Sequence, residues 1–578
     1  MKKRISIRGM KLCGVIISLA FGLVAHAGQT QDVIFQAMQD ELRRNMTQLE
    51  MPGLERPYYV SYTIDDYQNL TIGGTLGTLT QSRLERGRYL TADLRVGDYS
   101  LDNSNFISGY YEPGPASYPI SPEDDYDAVR NQIYLATDEL YKNALKEISK
   151  KRAYLQTRVI KDRPDDFLKQ PANTYIGPGE AFDIEQSYFE QLVLNSTELF
   201  REYPEIISSE IRITVGIDNQ YFANSNGSKS LRGDRIYVVD LSMTGRSEDG
   251  ENIEDGDHII VKDLKDLPDK VKLSKWVKDN AEKMRRIIAA KTEEGYTGPV
   301  IFTDDAAGEF FRQLLVKGIS ECPAPSYEKE ELANRSRGPE LANKVRRRVL
   351  PDYIDVYDDP TMTKIGGFQL IGNFAVDDAG NPPKRIQLVD HGMLVNLPIG
   401  VAPTKLVSEP NGHARGAVGK EVKAELGNVI VESNSTIPFD ELRQSMLQMC
   451  KDMGLSFGLI IRKLENPDGQ LGGSMYFFGQ RPEEESALSS PLEVYKIYLD
   501  GTEEAIHGLE FSGVTVRALK DILQTSNKQY CHNYLIKNDN EMPVSTICPS
   551  ILIEEMELKK TEAKTQKPLM LTSPLVKK

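Results

Sequence analysis

The sequence predicts an α+β protein: N-terminal helices on an antiparallel sheet, then a C-terminal β-rich, barrel-like domain. Three observations predict it. Amphipathic helical periodicity is concentrated before residue 290, alternating strand patterns with hairpin turns recur on both sides of that point, and strands and turns dominate beyond it. A length of 578 residues exceeds one ordinary core, so two or three domains are expected.

The first thirty residues stand apart from this plan. A basic start, an apolar run from Leu12 to Val24 and Ala25-His26-Ala27 before Gly28 form a secretory signal pattern over residues 1–27. The run is shorter than the ~20 residues a spanning helix needs, and Lys11 lies too close to Cys13 for a lipoprotein signal. Export is therefore expected, to the periplasm or the exterior, with no integral membrane segment after cleavage.

The N-terminal α+β domain is assigned to 28–295. "QDVIFQAMQDELRRNMTQLEM" reads as an amphipathic helix, and "PYYVSYTI" has strand composition. Residues ~123 to 200 are helix-rich. "NSNGS" is a hairpin turn between two alternating strands, and "DKVKLSKWVKDNAEKMRRIIAAK" places Leu273, Trp276, Val277, Met284, Ile287 and Ile288 on one helical face.

The C-terminal domain is assigned to 296–557. Its turns are Asp378-Ala379-Gly380-Asn381, His391-Gly392 and Asp500-Gly501. "SYEKEELANRSRGPELANKVRRR" is expected to be mobile, and the Lys- and Thr-rich tail 558–578 disordered. No repeat at a fixed period is present.

Charge narrows the function. Signal removal deletes five basic residues and no acid, taking the formal charge from -15 to -20. Such a chain repels phosphate backbones, so nucleic acid is not expected as a partner. Four cysteines remain, Cys322, Cys450, Cys531 and Cys548; Cys531 and Cys548 are the closest in sequence, and connectivity is not legible.

A helix-borne zinc site needs two histidines one turn apart and a carboxylate. The six histidines are His26, His258, His391, His413, His507 and His532, and no two that survive signal removal lie within five residues. No G-x-S-x-G elbow is present, and Cys322 and Cys450 have no base beside them in sequence. "EPNGHARGAVGKE" is a glycine-rich loop that could cradle a peptide, with Asn411, Gly412, His413 and Arg415 as contacts; composition alone favours a flexible hairpin end. "DYIDVYDDP" and "AVDDAGNP" cluster carboxylates without EF-hand spacing.

The ordered blocks "NQYFANSNGSKSLRGDRIYVVDLSMTGRSEDG", "TGPVIFTDDAAGEFFRQLL", "VLPDYIDVYDDPTMTKIGGFQLIGNFAVDDAGNPPKRIQLVDHGMLVNL", "NGHARG" and "PLEVYKIYLDGTEEAIHGLEFSGVTVRALKDI" resemble the TldD/TldE (PmbA) metallopeptidase family, in its exported branch, over about residues 30 to 555. The metal-bearing type of that family carries H-E-x-x-x-H where a strand meets a helix. The resemblance places Thr303, Asp304 and Gly308 at those positions, so the chain resembles the non-metal, TldE/PmbA-like type. It implies no cofactor in this chain, zinc in a partner, and either a TldD-like partner subunit or a homodimer around unfolded peptide substrates.

The alternatives are a non-enzymatic envelope peptide-binding or assembly protein, and a stand-alone peptidase using His391, His413 or Cys322. Independently of the resemblance, Thr303 or Asp304 is expected to cap the helix, Asp304 and Asp305 to suit its positive end, and Phe310, Phe311, Leu314 and Leu315 to be buried.

Overall fold

A computed structural model describes residues 32–109, 116–158, 163–247, 250–335, 339–416, 418–465, 486–536, 542–561 and 573–575. The expected signal segment and most of the expected tail lie outside them. Among the described residues no helix is long and apolar enough to cross a membrane.

The N-terminal half is one seven-stranded sheet covered on one face by helices. Its elements are α1 (Val33–Gln48), β1 (Pro57–Thr75), β2 (Thr78–Val96), β3 (Ala116–Ile120), α2 (Tyr126–Gln156), β4 (Thr174–Ile176), α3 (Gln186–Thr197), β5 (Ile206–Asn224), β6 (Lys229–Arg246), β7 (Asn252–Val261) and α4 (Lys270–Ile288). The strand order is β3-β2-β1-β5-β6-β4, with β7 also on β6; all pairings are antiparallel except β4 with β6.

Period-two alternation explains the layering. Val60, Tyr62 and Ile64 of β1 face α1 and α2, and Leu70 and Ile72 on the same face meet α3 and α4. Asp32, Asp125 and Asp269 cap α1, α2 and α4 by accepting from backbone N–H groups of the first turn, as sequence-level capping rules anticipate. In α4 the stripe Leu273, Val277, Met284 and Ile287 is buried, and Trp276 packs at its margin.

The C-terminal half is a thirteen-stranded mixed sheet. It comprises β8 (Lys291–Thr292), β9 (Gly295–Phe302), β10 (Ile354–Asp358), β11 (Ile386–Asp390), β12 (Met393–Leu394), β13 (Asn428–Ser433), β14 (Phe457–Leu464), β15 (Pro491–Tyr498), β16 (Glu503–His507), β17 (Leu509–Phe511), β18 (Ile522–Ile536), β19 (Met542–Lys560) and the short strand Thr436–Ile437. The main path runs β12-β11-β10-β13-β19-β9-β14-β15-β16-β8, with β17 and β18 branching from β19. Helix α5 (Asp304–Phe311) and helix α6 (Phe439–Asp452) pack on this sheet. Because β8 already pairs with β16, the two halves divide in the short link between Ile288 and Lys291.

Two local expectations change. Of the stretch expected to be mobile, residues 336–338 lie outside the described residues; the rest includes a short helix, Glu330–Arg335, and a turn at Ala342–Lys344, with Leu341 and Val345 buried in the core and Leu332 also buried. The last strand continues past residue 557 to Lys560, where it pairs with β17. Cys531 lies opposite Ile547 and Cys548 opposite Tyr530, so the two thiols point to opposite faces of the β18–β19 ladder and do not bridge; all four described cysteines are free.

Candidate functional site

The junction of β9 and α5 is built from a parallel neighbour, β14, and an antiparallel one, β19. The buried strand end Val300-Ile301-Phe302 delivers the chain to Thr303, and Phe310, Phe311, Leu314 and Leu315 are fully buried as expected. A π-helical turn, Arg312–Val316, follows α5.

The capping expectation fails. Thr303 is the N-cap residue but makes no cap hydrogen bond; its Oγ1 donates to Tyr530 Oη at 3.0 Å and lies 2.9 Å from Ser550 Oγ. The polar partners contributed by β18 and β19 draw the hydroxyl away from the helix. Asp304 enters α5 with φ +53°, the left-handed region that costs a side-chain-bearing residue ~1–2 kcal/mol. Burial raises its pKa, with Lys528 and Arg462 opposing the shift. Replacing Asp304 by glycine is expected to leave stability unchanged or raise it by up to ~1 kcal/mol, whereas valine lowers it; urea denaturation checks both.

The carboxylates that converge are Asp305 and Glu309, one residue beyond 304 and 308, respectively. One helical turn apart, they share a face of α5. Between them sits His532 of β18, with Nδ1 3.3 Å from Asp305 Oδ1 and Nε2 3.0 Å from Glu309 Oε1. His532 and Glu309 are buried, while the Asp305 side chain is 45% exposed, so the Glu309 contact is the stronger half of the clamp. Glu309 also accepts from Arg312 at 2.7 Å and Gln313 at 2.8 Å. Arg312 stacks over Tyr534, which in turn stacks on His532.

Burial opposes charge on His532, yet hydrogen bonds and attraction from Asp305 and Glu309 outweigh it and lift its pKa to about 9. Burial likewise opposes the Glu309 carboxylate, and Arg312 with His532 and Gln313 pulls its pKa down to about 2. Asp305 is lowered despite desolvation by His532, Lys463 and His258. The clamp is an imidazolium between two carboxylates.

Gly308 makes room for it. A Cβ added there would lie 2.3 Å from His532 Cβ and 2.7 Å from its Cγ. The absence of a side chain at the position expected to hold the second metal-binding histidine is what lets the histidine of β18 approach.

The N-terminal half closes the far side. On β7, His258 Nε2 is 2.6 Å from the Asn533 carbonyl, and Asp255 accepts from Lys463 of β14 at 2.6 Å. Asp257 accepts from Trp276 Nε1 and Asn280 Nδ2, each at 3.0 Å. The Trp276 indole thus does more than pack at the edge of a core: its N–H holds the strand that reaches the junction.

The residues present do not fit a zinc ion. Thr303 is committed to Tyr530 and Ser550, Gly308 offers no ligand, and both ring nitrogens of His532 face carboxylates as N–H donors. Among the described residues no group of three or more His, Cys, Asp or Glu side chains has a metal-holding arrangement. His532 and Glu309 were missed in the sequence because they are 223 positions apart and meet only through the β18–β19 ladder. The E-F-F directly after Gly308 was the available signal.

The loop residues singled out in the sequence lie elsewhere and are engaged within the chain. His413 is fully buried, with Nε2 2.8 Å from Asp358 Oδ2 and Nδ1 3.0 Å from the Asn411 carbonyl. Asn411 bridges Ile399 N–H and the Leu397 carbonyl, and Arg415 donates to the carbonyls of Leu426 and Pro543. Gly412 has φ +74°, and a Cβ there would meet the Pro382 carbonyl at 2.3 Å. Residues 411–415 brace the interior, while Ala414–Arg415 pairs antiparallel with Lys423–Ala424, so the loop does end in a hairpin. His391 sits in its turn with φ +44°, and burial raises the Cys322 thiol to about 12, far from a ready nucleophile.

Residues 295–468 match the PmbA/TldA metallopeptidase C-terminal domain. Over these residues the chain is similar to that family's C-terminal domain. Solved structures extend the fold likeness to nearly the whole chain. TldE from Thermococcus kodakarensis aligns with a TM-score of 0.55 at 14% identity, covering 90% of this chain and 99% of its own. A Thermotoga maritima protein described as a candidate modulator of DNA gyrase aligns at 0.56 and 14%, covering 91% and 100%. A similarly described Bacteroides thetaiotaomicron protein aligns at 0.55 and 13%, covering 91% and 98%. At these identities the likeness speaks for the fold. No curated protein matches the sequence.

Proposed function

We propose that this chain is an exported, metal-free TldD/PmbA-family subunit that helps hold unfolded peptide for proteolysis by an H-E-x-x-x-H-bearing partner. One observation carries the reading. At the strand-to-helix junction where the resemblance calls for a zinc motif, the side chains are Thr303, Asp304 and Gly308, and the space beside α5 is taken by the His532 imidazolium clamped on Glu309 and Asp305. A site whose cation belongs to the protein has no open position for a metal-bound water, the nucleophile such peptidases need. Thermococcus kodakarensis TldE, among the fold relatives, bears the name of the corresponding subunit type. The acidic composition and the signal-like first 27 residues favour an exported, peptide-directed role over nucleic acid.

The experiment is hydrolysis of a fluorescent unfolded casein by the purified chain, alone and mixed with a zinc-loaded H-E-x-x-x-H family member from the same exported fraction. Cleavage is expected only in the mixture, faster than by the partner alone. Zinc-dependent cleavage by this chain alone overturns the proposal. N-terminal sequencing of the exported protein should begin at Gly28.

A further inference from the structure

Away from the junction, the two halves meet again on the face of the N-terminal sheet that carries no helices. Period-two alternation sends Asp65 of β1, Asp218 and Gln220 of β5, and Arg232 and Asp234 of β6 to that face, opposite Ile64, Val215 and Tyr237 under the helices. The register sets Asp65, Gln220 and Arg232 side by side in one cross-strand row and Asp218 beside Asp234 in the next. From the C-terminal half the turn 376–381 reaches this patch. Arg232 Nη1 lies 2.5 Å from Asp378 Oδ1 and donates to the Val376 carbonyl at 3.1 Å, and Asn173 donates to the Gly380 carbonyl at 2.8 Å. Arg232 Nε also lies 3.0 Å from Asp234, so one guanidinium faces four carboxyls, two of which are its partners. Asp65 is buried and accepts from Gln220 at 3.0 Å, and Asp218 Oδ1 is buried with no hydrogen-bond partner; among the described residues neither is paired with a cation. The neighbouring charges are engaged elsewhere: Lys262 of β7 on the Asn373 carbonyl, Arg415 on the carbonyls of Leu426 and Pro543, and Asp377 on the N–H groups of Ala379, Asn381 and Ala414.

We propose that Asp65 and Asp218 form a proton-operated latch on this contact between the halves. Protonated, they leave Arg232 to hold Asp378, and the turn stays docked on the sheet. Ionised, they repel the Asp378 carboxylate and compete for the one guanidinium, and the turn is released. Burial raises the pKa of both carboxyls. It lifts Asp65 to about 6, with Gln220 and Arg232 opposing the rise and the Asp378 charge adding to it. It lifts Asp218 well above the usual carboxylate range, with the charges of Asp65, Asp234 and Asp378 adding and Arg232 opposing. A carboxyl raised in this way only while docked favours docking fully below its ordinary value near 3.8, and that contribution is lost as pH rises through the docked value. The contact is therefore tightest in acid and loosens towards neutral and alkaline pH.

Hydrogen–deuterium exchange of the full chain, corrected for the intrinsic pH dependence of exchange, tests this. The reporters are the amides of the turn 376–381 and of Gly416, whose N–H donates to Asp378 Oδ2 at 2.6 Å. Their protection is expected to fall at least about tenfold between pH 5 and pH 8, while amides of α5 beside His532 keep theirs. Asp65→Asn with Asp218→Asn, which imitates the protonated pair, keeps at pH 8 the protection that the unaltered chain shows at pH 5. Asp65→Asn alone keeps part of it, and serves if the double variant does not fold. Equal protection at pH 5 and pH 8 in the unaltered chain overturns the proposal, as does an equal loss in α5, which marks a global response. A loss that persists in the double variant with native circular dichroism also overturns it and assigns the titration to another group, Asp377 of the turn being the nearest.

Discussion

Replacing His532 by alanine is expected to destabilise the protein by about 3 kcal/mol, read as a lower urea midpoint with an unchanged slope. The substitution removes the cation from a buried carboxylate and a ring stacked on Tyr534. Glu309 keeps Arg312 and Gln313, which holds the loss near the low end for a broken buried pair. The same interaction sets a pH dependence. His532 has a folded pKa of about 9, raised above its ordinary value near 6.5, so its contribution is fully present below ~6.5 and lost as pH rises through 9. A rise from near 6.5 to about 9 corresponds to about 3 kcal/mol, the same order as the loss expected for His532→Ala. Glu309, depressed to about 2 from 4.5, contributes stability above ~4.5 that is lost as pH falls through 2; it is the other side of the same contact and is not added. In His532→Ala the alkaline limb should flatten.

Gly308→Ala should be at least as damaging, near 3 kcal/mol or more. The new methyl lies 2.3 Å from His532 Cβ, an atom anchored directly to the β18 backbone, so rotation of the imidazole gives no relief and α5 must move off the sheet. Denaturation of Gly308→Ala, His532→Gly and the double variant measures the dependence. Because glycine at 532 removes the clashing Cβ, the two losses should fall short of additive by at least about 1 kcal/mol. Strict additivity shows that residue 308 is glycine for some other reason.

Much of the fold was legible because it follows local rules. The amphipathic pattern after the signal announced α1, the stripe through Leu273 and Met284 announced the buried face of α4, and Asp500-Gly501 closed its hairpin. The site was legible only by position. The vacated zinc motif drew attention to the junction, but the residues that fill it come from β18, β7 and β14, and their meeting depends on sheet order that no local pattern encodes. Thr303 shows the same limit: its type is that of a cap, yet Ser550 and Tyr530 compete for its hydroxyl and win. His413 was legible as chemistry and illegible as burial, since Asp358 lies 55 residues away in sequence.

The most direct test of the central claim is zinc per chain, by elemental analysis, on protein expressed alone and equilibrated with one equivalent of zinc before exhaustive gel filtration. The account predicts essentially none retained at neutral pH, because the cation beside α5 is His532. About one zinc per chain, lost on Glu309→Gln, would contradict it and make the junction a metal site.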